Sequence, residues 1–232
     1  MNHSFCKPLA VFAAALLTLT LPACSILPKP AAMATYKLPD HRPAGTGKEL
    51  QPRDTLGALR IHAPESSRIL DSDRVIIASA DGRLSAWKGL RWSDPAPILL
   101  RDRLAEAFLR DGRMLVSVDA DSSTWDLELI GALRAFQFEQ RETGPVAVVR
   151  FDARLVDRTS LRIVANRRFD VVREVGSKQQ TDVVSALGSA SDTLAGQVID
   201  WVVRSSVAEA RQTQAPVEAR LDALAPQTER SQ

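Results

Sequence analysis

Cysteine, histidine and tyrosine are scarce in this sequence of 232 residues, which contains two cysteines, three histidines and one tyrosine. His41 and His62 are not at the spacing of a metal-binding pair, so the sequence predicts no zinc or iron site. It also lacks the Gly-x-Ser-x-Gly motif of many hydrolases. The formal net charge of +2 gives no strong electrostatic reason to expect nucleic acid as a partner.

Long apolar segments are missing too. The clearest apolar run, residues 9–21, is shorter than the roughly 20 residues that a membrane-spanning helix needs. It follows Lys7 and leads into Leu21-Pro22-Ala23-Cys24, which together are typical of an export signal. The last four residues resemble the bacterial lipobox, in which the cysteine thiol receives diacylglycerol and the chain is cut before the cysteine.

We therefore predict a signal peptide at residues 1–23 and a lipid anchor on Cys24, with covalent diacylglycerol and an acyl chain such as palmitate as its only added group. The alternative is a secreted protein that is cut near Ala23 and has an unmodified cysteine. Cys6 lies within the predicted signal peptide, so Cys24 would have no partner for an internal disulfide. A free thiol is unfavourable in an oxidising compartment, which favours the lipid anchor.

Proline recurs in residues 24–55 without a helical or strand period, which is typical of an extended tether. The motif Tyr36-Lys37-Leu38-Pro39 lies within this stretch. We expect the folded domain at residues 56–208, followed by a disordered tail at residues 209–232, which is rich in Gln, Ala, Arg and Pro.

Two helices and several strands are expected within the domain. Asp81-Gly82 separates two strand-like runs and predicts a hairpin. Ser93 or Asp94 is expected to cap a helix that ends at Asp111-Gly112. In that helix Leu100, Leu104 and Phe108 gather on one side, and Asp102, Arg103, Glu106 and Arg110 on the other.

Three alternating runs follow at residues 125–140, 146–156 and 161–175, and they predict an antiparallel meander with one solvated face. A second long helix is expected from Thr181 to about Ala208, with its apolar stripe running from Val183 to Val202. The predicted fold class is α+β, a mostly antiparallel sheet with two main amphipathic helices packed on it.

Few residues are candidates for a functional site. A Ser-His-Asp triad would have to use His62, whose simpler interpretation is an ordinary strand residue. Trp87 and Trp92 bracket a Lys-Gly loop and are candidates for partner docking, since aromatic residues are enriched at binding hot spots. The alternative is that both tryptophans belong to the core. We predict no catalytic residue and no metal site.

The lipobox, the motif Tyr36-Lys37-Leu38-Pro39, and the stretch at residues 87–108 with its helix-opening prolines together resemble the ABC-type transport auxiliary lipoprotein family. The likeness spans roughly residues 21–205. Trp87 stands where the family usually has another aromatic residue, often tyrosine.

This resemblance implies a non-enzymatic lipoprotein that works beside a mammalian-cell-entry (MCE) type lipid transporter. Its partners would be an MCE-domain protein with its ABC permease and ATPase, and it could assemble as a homo-oligomer. Ser25 rather than Asp follows Cys24, which under the usual sorting rule favours the periplasmic face of the outer membrane. The alternatives are a structural lipoprotein of another envelope assembly machine and a lipid-handling enzyme.

Overall fold

The computed structural model describes residues 33–41, 55–119 and 124–224, with side chains as far as residue 211. The described residues belong to one compact unit. Its described strands and helices follow one another in this order: β1 (Ala34–Tyr36), β2 (Ala58–Ile61), β3 (Glu65–Ser66), β4 (Arg74–Ala78), β5 (Leu84–Trp92), α1 (Ala96–Asp111), β6 (Leu115–Val118), β7 (Leu127–Arg141), β8 (Gly144–Asp157), β9 (Ile163–Glu174) and α2 (Gln180–Leu224).

The described strands form one nine-stranded sheet with the long strand β7 at its centre. One side of β7 pairs with β8, and the other side pairs with β2, β3 and β4. The pairings β4–β5, β7–β8 and β8–β9 are antiparallel, whereas β1–β5, β2–β6, β2–β7, β3–β7 and β4–β7 are parallel. The predicted α+β class with a mostly antiparallel sheet is confirmed, and the parallel additions make the sheet mixed.

Alternation along β8 decides which face of the sheet is buried. Val149, Phe151 and Leu155 are 0–2% exposed and lie in the main hydrophobic core. The side chains between them, such as Arg150 and Arg154, point to the opposite face, because successive side chains in a strand alternate. The predicted antiparallel meander is confirmed, and its second face is polar except for a small buried cluster of Ala135, Val146 and Val148.

The two helices cover the apolar face of the sheet. The predicted stripe on α2 is fully buried from Val183 to Val202, and the Trp201 ring packs edge-on against Phe169 of β9, with 5.6 Å between ring centroids. Such a pair contributes about 0.5–1.5 kcal/mol beyond its buried area. The helix α2 continues past its predicted end at about residue 208 and reaches Leu224.

The helix α1 differs from its prediction at two points. Pro95 is its N-cap and no side chain caps it, so the prediction of Ser93 or Asp94 as the cap is wrong. The backbone N–H of Ser93 donates instead to the carbonyl of Tyr36, at 2.8 Å. Arg103, which the helical period placed on the polar side, is only 5% exposed. The predicted end is confirmed, since Gly112 adopts a left-handed conformation with φ of 74°.

Gly131 of β7 lies opposite Ala153 of β8. A Cβ added to Gly131 would lie 2.1 Å from the carbonyl oxygen of Asp152 and 2.8 Å from the ring of Phe151. We expect Gly131→Ala to lower the free energy of unfolding by about 1–3 kcal/mol, because the two strands would have to separate. Urea unfolding measures this. Gly82→Ala is a poor control because of its positive φ, whereas Gly176→Ala meets open space and should have little effect. Equal effects of Gly131→Ala and Gly176→Ala would contradict the expectation.

An ion-pair cluster crosses the polar face of the meander. Asp152 accepts hydrogen bonds from Arg168 (2.5 and 2.8 Å) and from Arg134 (2.9 Å). The hydrogen bond from Arg168 is the main reason that the pKa of Asp152 falls from 3.8 to about 2, although partial burial opposes the change.

A carboxylate with a lowered pKa stabilises the fold above its unfolded pKa and loses that contribution as the pH falls through the folded value. Asp152→Asn should therefore destabilise the protein at pH 5 and lose its effect near pH 2. We expect a difference of at most about 1 kcal/mol, because both arginines are largely exposed. Urea unfolding of both proteins across this range measures it. A difference that stays constant down to pH 2 would show that Asp152 acts without its charge.

Candidate functional site

The predicted lipid attachment residue Cys24 and the predicted sorting residue Ser25 lie outside the described residues. Both assignments therefore remain predictions. The described residue nearest to them in sequence is Met33, which opens a segment that we call the strap, residues 33–41. The strap is the part of the predicted tether that the structure describes, and it is packed on the domain.

The strap begins as the strand β1. Its residues pair in parallel with the end of β5, where Ala34 lies opposite Leu90 and Tyr36 opposite Trp92. Tyr36 and Leu38 pack against the main core. The motif Tyr36-Lys37-Leu38-Pro39 thus places two apolar side chains against the domain, with the exposed Lys37 between them.

A buried arginine of α1 holds the next residues of the strap. Arg103 donates to the carbonyl oxygens of Leu38 at 2.9 Å and Pro39 at 2.7 Å. The same guanidinium donates to the Asp192 carboxylate of α2 at 2.5 Å. Burying a charge is unfavourable unless it is paired and hydrogen-bonded, and these contacts meet that condition. One side chain therefore ties together the strap, α1 and α2.

Acidic and polar groups add further contacts around Arg103, and we call the set formed by Asp40, His41, Arg103, Arg110 and Asp192 the clamp. Asp40 forms ion pairs with Arg103, at 3.0 Å, and with Arg110. Burial alone would lower the pKa of Arg110, but the hydrogen bond and the charge of Asp40 raise it overall. The backbone N–H of His41 donates to Asp192 at 3.2 Å, and its ring lies 3.1 Å from the Ser185 hydroxyl.

Gly188 lets the strap approach α2 closely. A Cβ on Gly188 would lie 2.7 Å from the carbonyl oxygen of Pro39 and 2.9 Å from the His41 ring. Any larger residue would push the strap outward. Ser185, Gly188 and Asp192 are spaced at three and four residues, which places them on one side of α2.

This clamp was not predicted from the sequence. The available signal was the position of Arg103, four residues from both Leu99 and Ala107, which are buried on the same side of α1. The small residues at positions 188–191 were a second signal, because they allow another backbone to come close. The chemistry of the clamp is attachment, since Arg103 and Asp192 spend their hydrogen bonds on one another and on the strap.

The two candidate docking tryptophans have different environments. Trp92 is 1% exposed and packs edge-on against Phe136, at 5.7 Å between centroids. Its assignment as a docking residue is wrong, because a buried ring offers no surface to a partner. Trp87 is half-buried against Phe138, at 5.5 Å, and the next residue, Lys88, is exposed. Docking at Trp87 stays a prediction.

His62 follows β2 and contacts carboxylates. Its Nδ1 lies 2.5 Å from Asp119, and its Nε2 lies 3.9 Å from Glu128, too far for a hydrogen bond. No described serine hydrogen-bonds to this ring, so residues 33–41, 55–119 and 124–211 do not assemble the triad that the sequence left open.

The described part of the chain contains no group of three His, Cys, Asp or Glu side chains arranged to hold a metal ion. None of the helices in that same part is both long enough and apolar enough to cross a membrane.

The sequence matches the family model of the ABC-type transport auxiliary lipoprotein component over residues 36–199. The chain belongs to this family. The match starts at Tyr36, the first residue of the motif in the strap, and ends within α2. The family assignment that the motifs implied is thus confirmed, and with it the description of the chain as a lipoprotein component of ABC-type transport.

Solved structures confirm the fold of this auxiliary lipoprotein. It is 22% identical to a Xanthomonas campestris protein assigned to the DUF330 family, with a TM-score of 0.66 over 77% of this chain and 99% of that one. A second crystal structure, of an uncharacterized protein, is 14% identical, with a TM-score of 0.56 over 74% of this chain and 99% of that one. No curated protein sequence matches the chain significantly.

Proposed function

We propose that this auxiliary lipoprotein is a non-enzymatic component of an MCE-type ABC lipid transport system, anchored on the periplasmic face of the outer membrane through lipid on Cys24. The observation that carries the proposal is the family match over residues 36–199. The partners would be an MCE-domain protein and, through it, the ABC permease and ATPase.

The clamp on the strap supports an anchored role. The strap is the described segment closest in sequence to Cys24, and it is held by hydrogen bonds from the buried Arg103 and by pairing of β1 with β5. A fixed attachment of this kind defines which part of the domain is next to the tether. A docking component benefits from this because its partner surface then keeps one orientation.

The β4–β5 hairpin is the surface that we propose for docking. It presents the half-buried Trp87 on one face of β5 and the exposed Lys88 on the other, because successive side chains in a strand alternate. A partner at the edge of this hairpin could contact both the aromatic ring and the cation. Aromatic residues at partly desolvated positions are the usual centres of binding energy in an interface.

Crosslinking tests this docking surface. A photo-crosslinking amino acid at Lys88, in the full-length lipoprotein in cells, should capture an MCE-domain protein. The matched control is the same amino acid at Arg204, an exposed position on α2. Capture from neither position, together with unchanged envelope lipid composition after gene deletion, would refute the proposal. Capture of another envelope assembly protein from Lys88 would favour the alternative function, that of a structural lipoprotein in a different envelope assembly machine.

Assembly into a homo-oligomer is also proposed, on the evidence of an open sheet edge. Among the described strands β9 pairs only with β8, so its outer edge is unpaired. Ile163 is 54% exposed and Val172 is 38% exposed on this strand. An unpaired edge with apolar side chains is a site where a second copy can add a strand. Native mass measurement of the detergent-solubilised lipoprotein tests this, and a monomer would refute it.

A further inference from the structure

The polar face of the meander contains an open groove of about 520 Å³, which we call the arginine groove. It lies on the side of β7, β8 and β9 that faces away from the helices, since its side chains alternate with those of the core. The charged side chains that point into it are Glu65, Arg134, Asp152, Arg154 and Arg168.

Hydrogen-bond donors outnumber acceptors in this groove. Arg134 uses one N–H and Arg168 uses two to bind Asp152. A guanidinium carries five N–H donors, so most donors of these two side chains remain available. The shared carboxylate also holds both guanidinium groups in place across three strands.

A third arginine of this face has no carboxylate within ion-pair distance among the residues that the structure describes. This is Arg154, which is exposed on β8 opposite Asn166 of β9. Arg167 of β9 points to the other face, where its guanidinium carbon lies 5.0 Å from the centroid of the Phe169 ring. Three guanidinium groups and two carboxylates therefore face the groove, and the net charge of its lining is positive.

We propose that the arginine groove binds a phosphate group. The planar fork of arginine matches the oxygens of a phosphate with two parallel hydrogen bonds, and several such forks surround one short groove here. A compact group with several acceptor oxygens suits this arrangement better than an extended acidic peptide, which needs cations spaced along its length. The proposal goes beyond the docking role and does not depend on it.

The phosphate can belong to a lipid headgroup or be free in solution, and calorimetric titration of the full-length lipoprotein in non-ionic detergent distinguishes the two. The probes are dihexanoyl phosphatidic acid, inorganic phosphate, zwitterionic dihexanoyl phosphatidylcholine and hexaglutamate. We expect phosphatidic acid or inorganic phosphate to bind more tightly than the other two. Preference for phosphatidic acid over inorganic phosphate assigns the group to a lipid, and equal or weaker binding of phosphatidic acid assigns it to solution.

Variants locate the binding. The variant Arg154→Gln should weaken phosphate binding about tenfold, because it removes one charge-assisted contact and leaves the Asp152 cluster intact. The matched control, Arg204→Gln, removes the same charge from an exposed position on α2 and should change the affinity less than about twofold. Equal losses in both variants, no phosphate binding at all, or tighter binding of hexaglutamate would each overturn the proposal.

Discussion

Replacing Arg103 by alanine should lower the free energy of unfolding by about 3–5 kcal/mol, because the buried Asp192 loses its main cationic partner. The carbonyl oxygens of Leu38 and Pro39 lose their donors in the same variant. The matched control is Arg83→Ala. Arg83 is paired with Asp81 on the surface, with 83% of its side chain exposed, and its loss should cost no more than about 0.5 kcal/mol.

A second variant separates the effect of the unpaired buried charge on stability from the effect of lost packing. Arg103→Met keeps much of the side-chain volume but leaves Asp192 unpaired. Adding Asp192→Asn to it should raise the stability again, because the remaining group no longer carries a charge. If Asp192→Asn instead lowers the stability of Arg103→Met further, the charge of Asp192 is not what Arg103 compensates.

Limited trypsin digestion reports on the strap itself. The bond after Lys37 lies within the clamped motif, and Lys37 is exposed while the backbone around it is held by β1 and Arg103. Cleavage there should be much faster in Arg103→Ala than in the parent protein under conditions where both are folded. Equal cleavage rates, or a loss of stability below about 1 kcal/mol in urea, would show that Arg103 does not fasten the strap.

The meander was predictable because its signal is local. Polar and apolar side chains alternate along β7, β8 and β9, and short turns connect these strands, so antiparallel pairing follows from chain order. The stripe on α2 was predictable for the same reason, since its period appears within one segment.

Features that depend on residues far apart in the sequence were not predicted. The strand β1 is only three residues long and pairs with β5, more than fifty positions away, so its own sequence contains no strand period. Arg103 looks solvent-facing within α1 and becomes buried only because the strap and Asp192 surround it. The clamp exists through pairs of residues on three segments, and periodicity within one segment does not report such pairs.

The docking assignment failed at Trp92 for a related reason. A tryptophan beside a loop is equally consistent with a binding surface and with a core edge, and the choice depends on what packs over it. Phe136 of β7 covers Trp92, and this neighbour follows from the position of β7 in the sheet rather than from residues near Trp92. The family resemblance was more informative, because its motifs combine several segments at once.

Replacing Cys24 by alanine should abolish incorporation of labelled palmitate and remove the protein from the outer-membrane fraction. The thiol is the proposed attachment atom, and alanine offers no group to alkylate. Cys6→Ser is the matched control, because Cys6 lies in the predicted signal peptide and should not carry lipid in the mature protein. Labelling that persists in Cys24→Ala would refute the proposed attachment site.

Ser25→Asp distinguishes attachment from sorting. This variant should incorporate as much palmitate as the parent protein but fractionate with the inner membrane, because the residue after the lipidated cysteine decides delivery in the proposed sorting rule. Several acyl chains, each contributing about 0.8 kcal/mol per buried methylene, keep both the parent protein and the variant on a membrane. Only the membrane with which the protein fractionates should therefore change. Unchanged fractionation would mean that Ser25 does not direct sorting, while loss of labelling in Ser25→Asp would mean that position 25 affects lipid attachment itself.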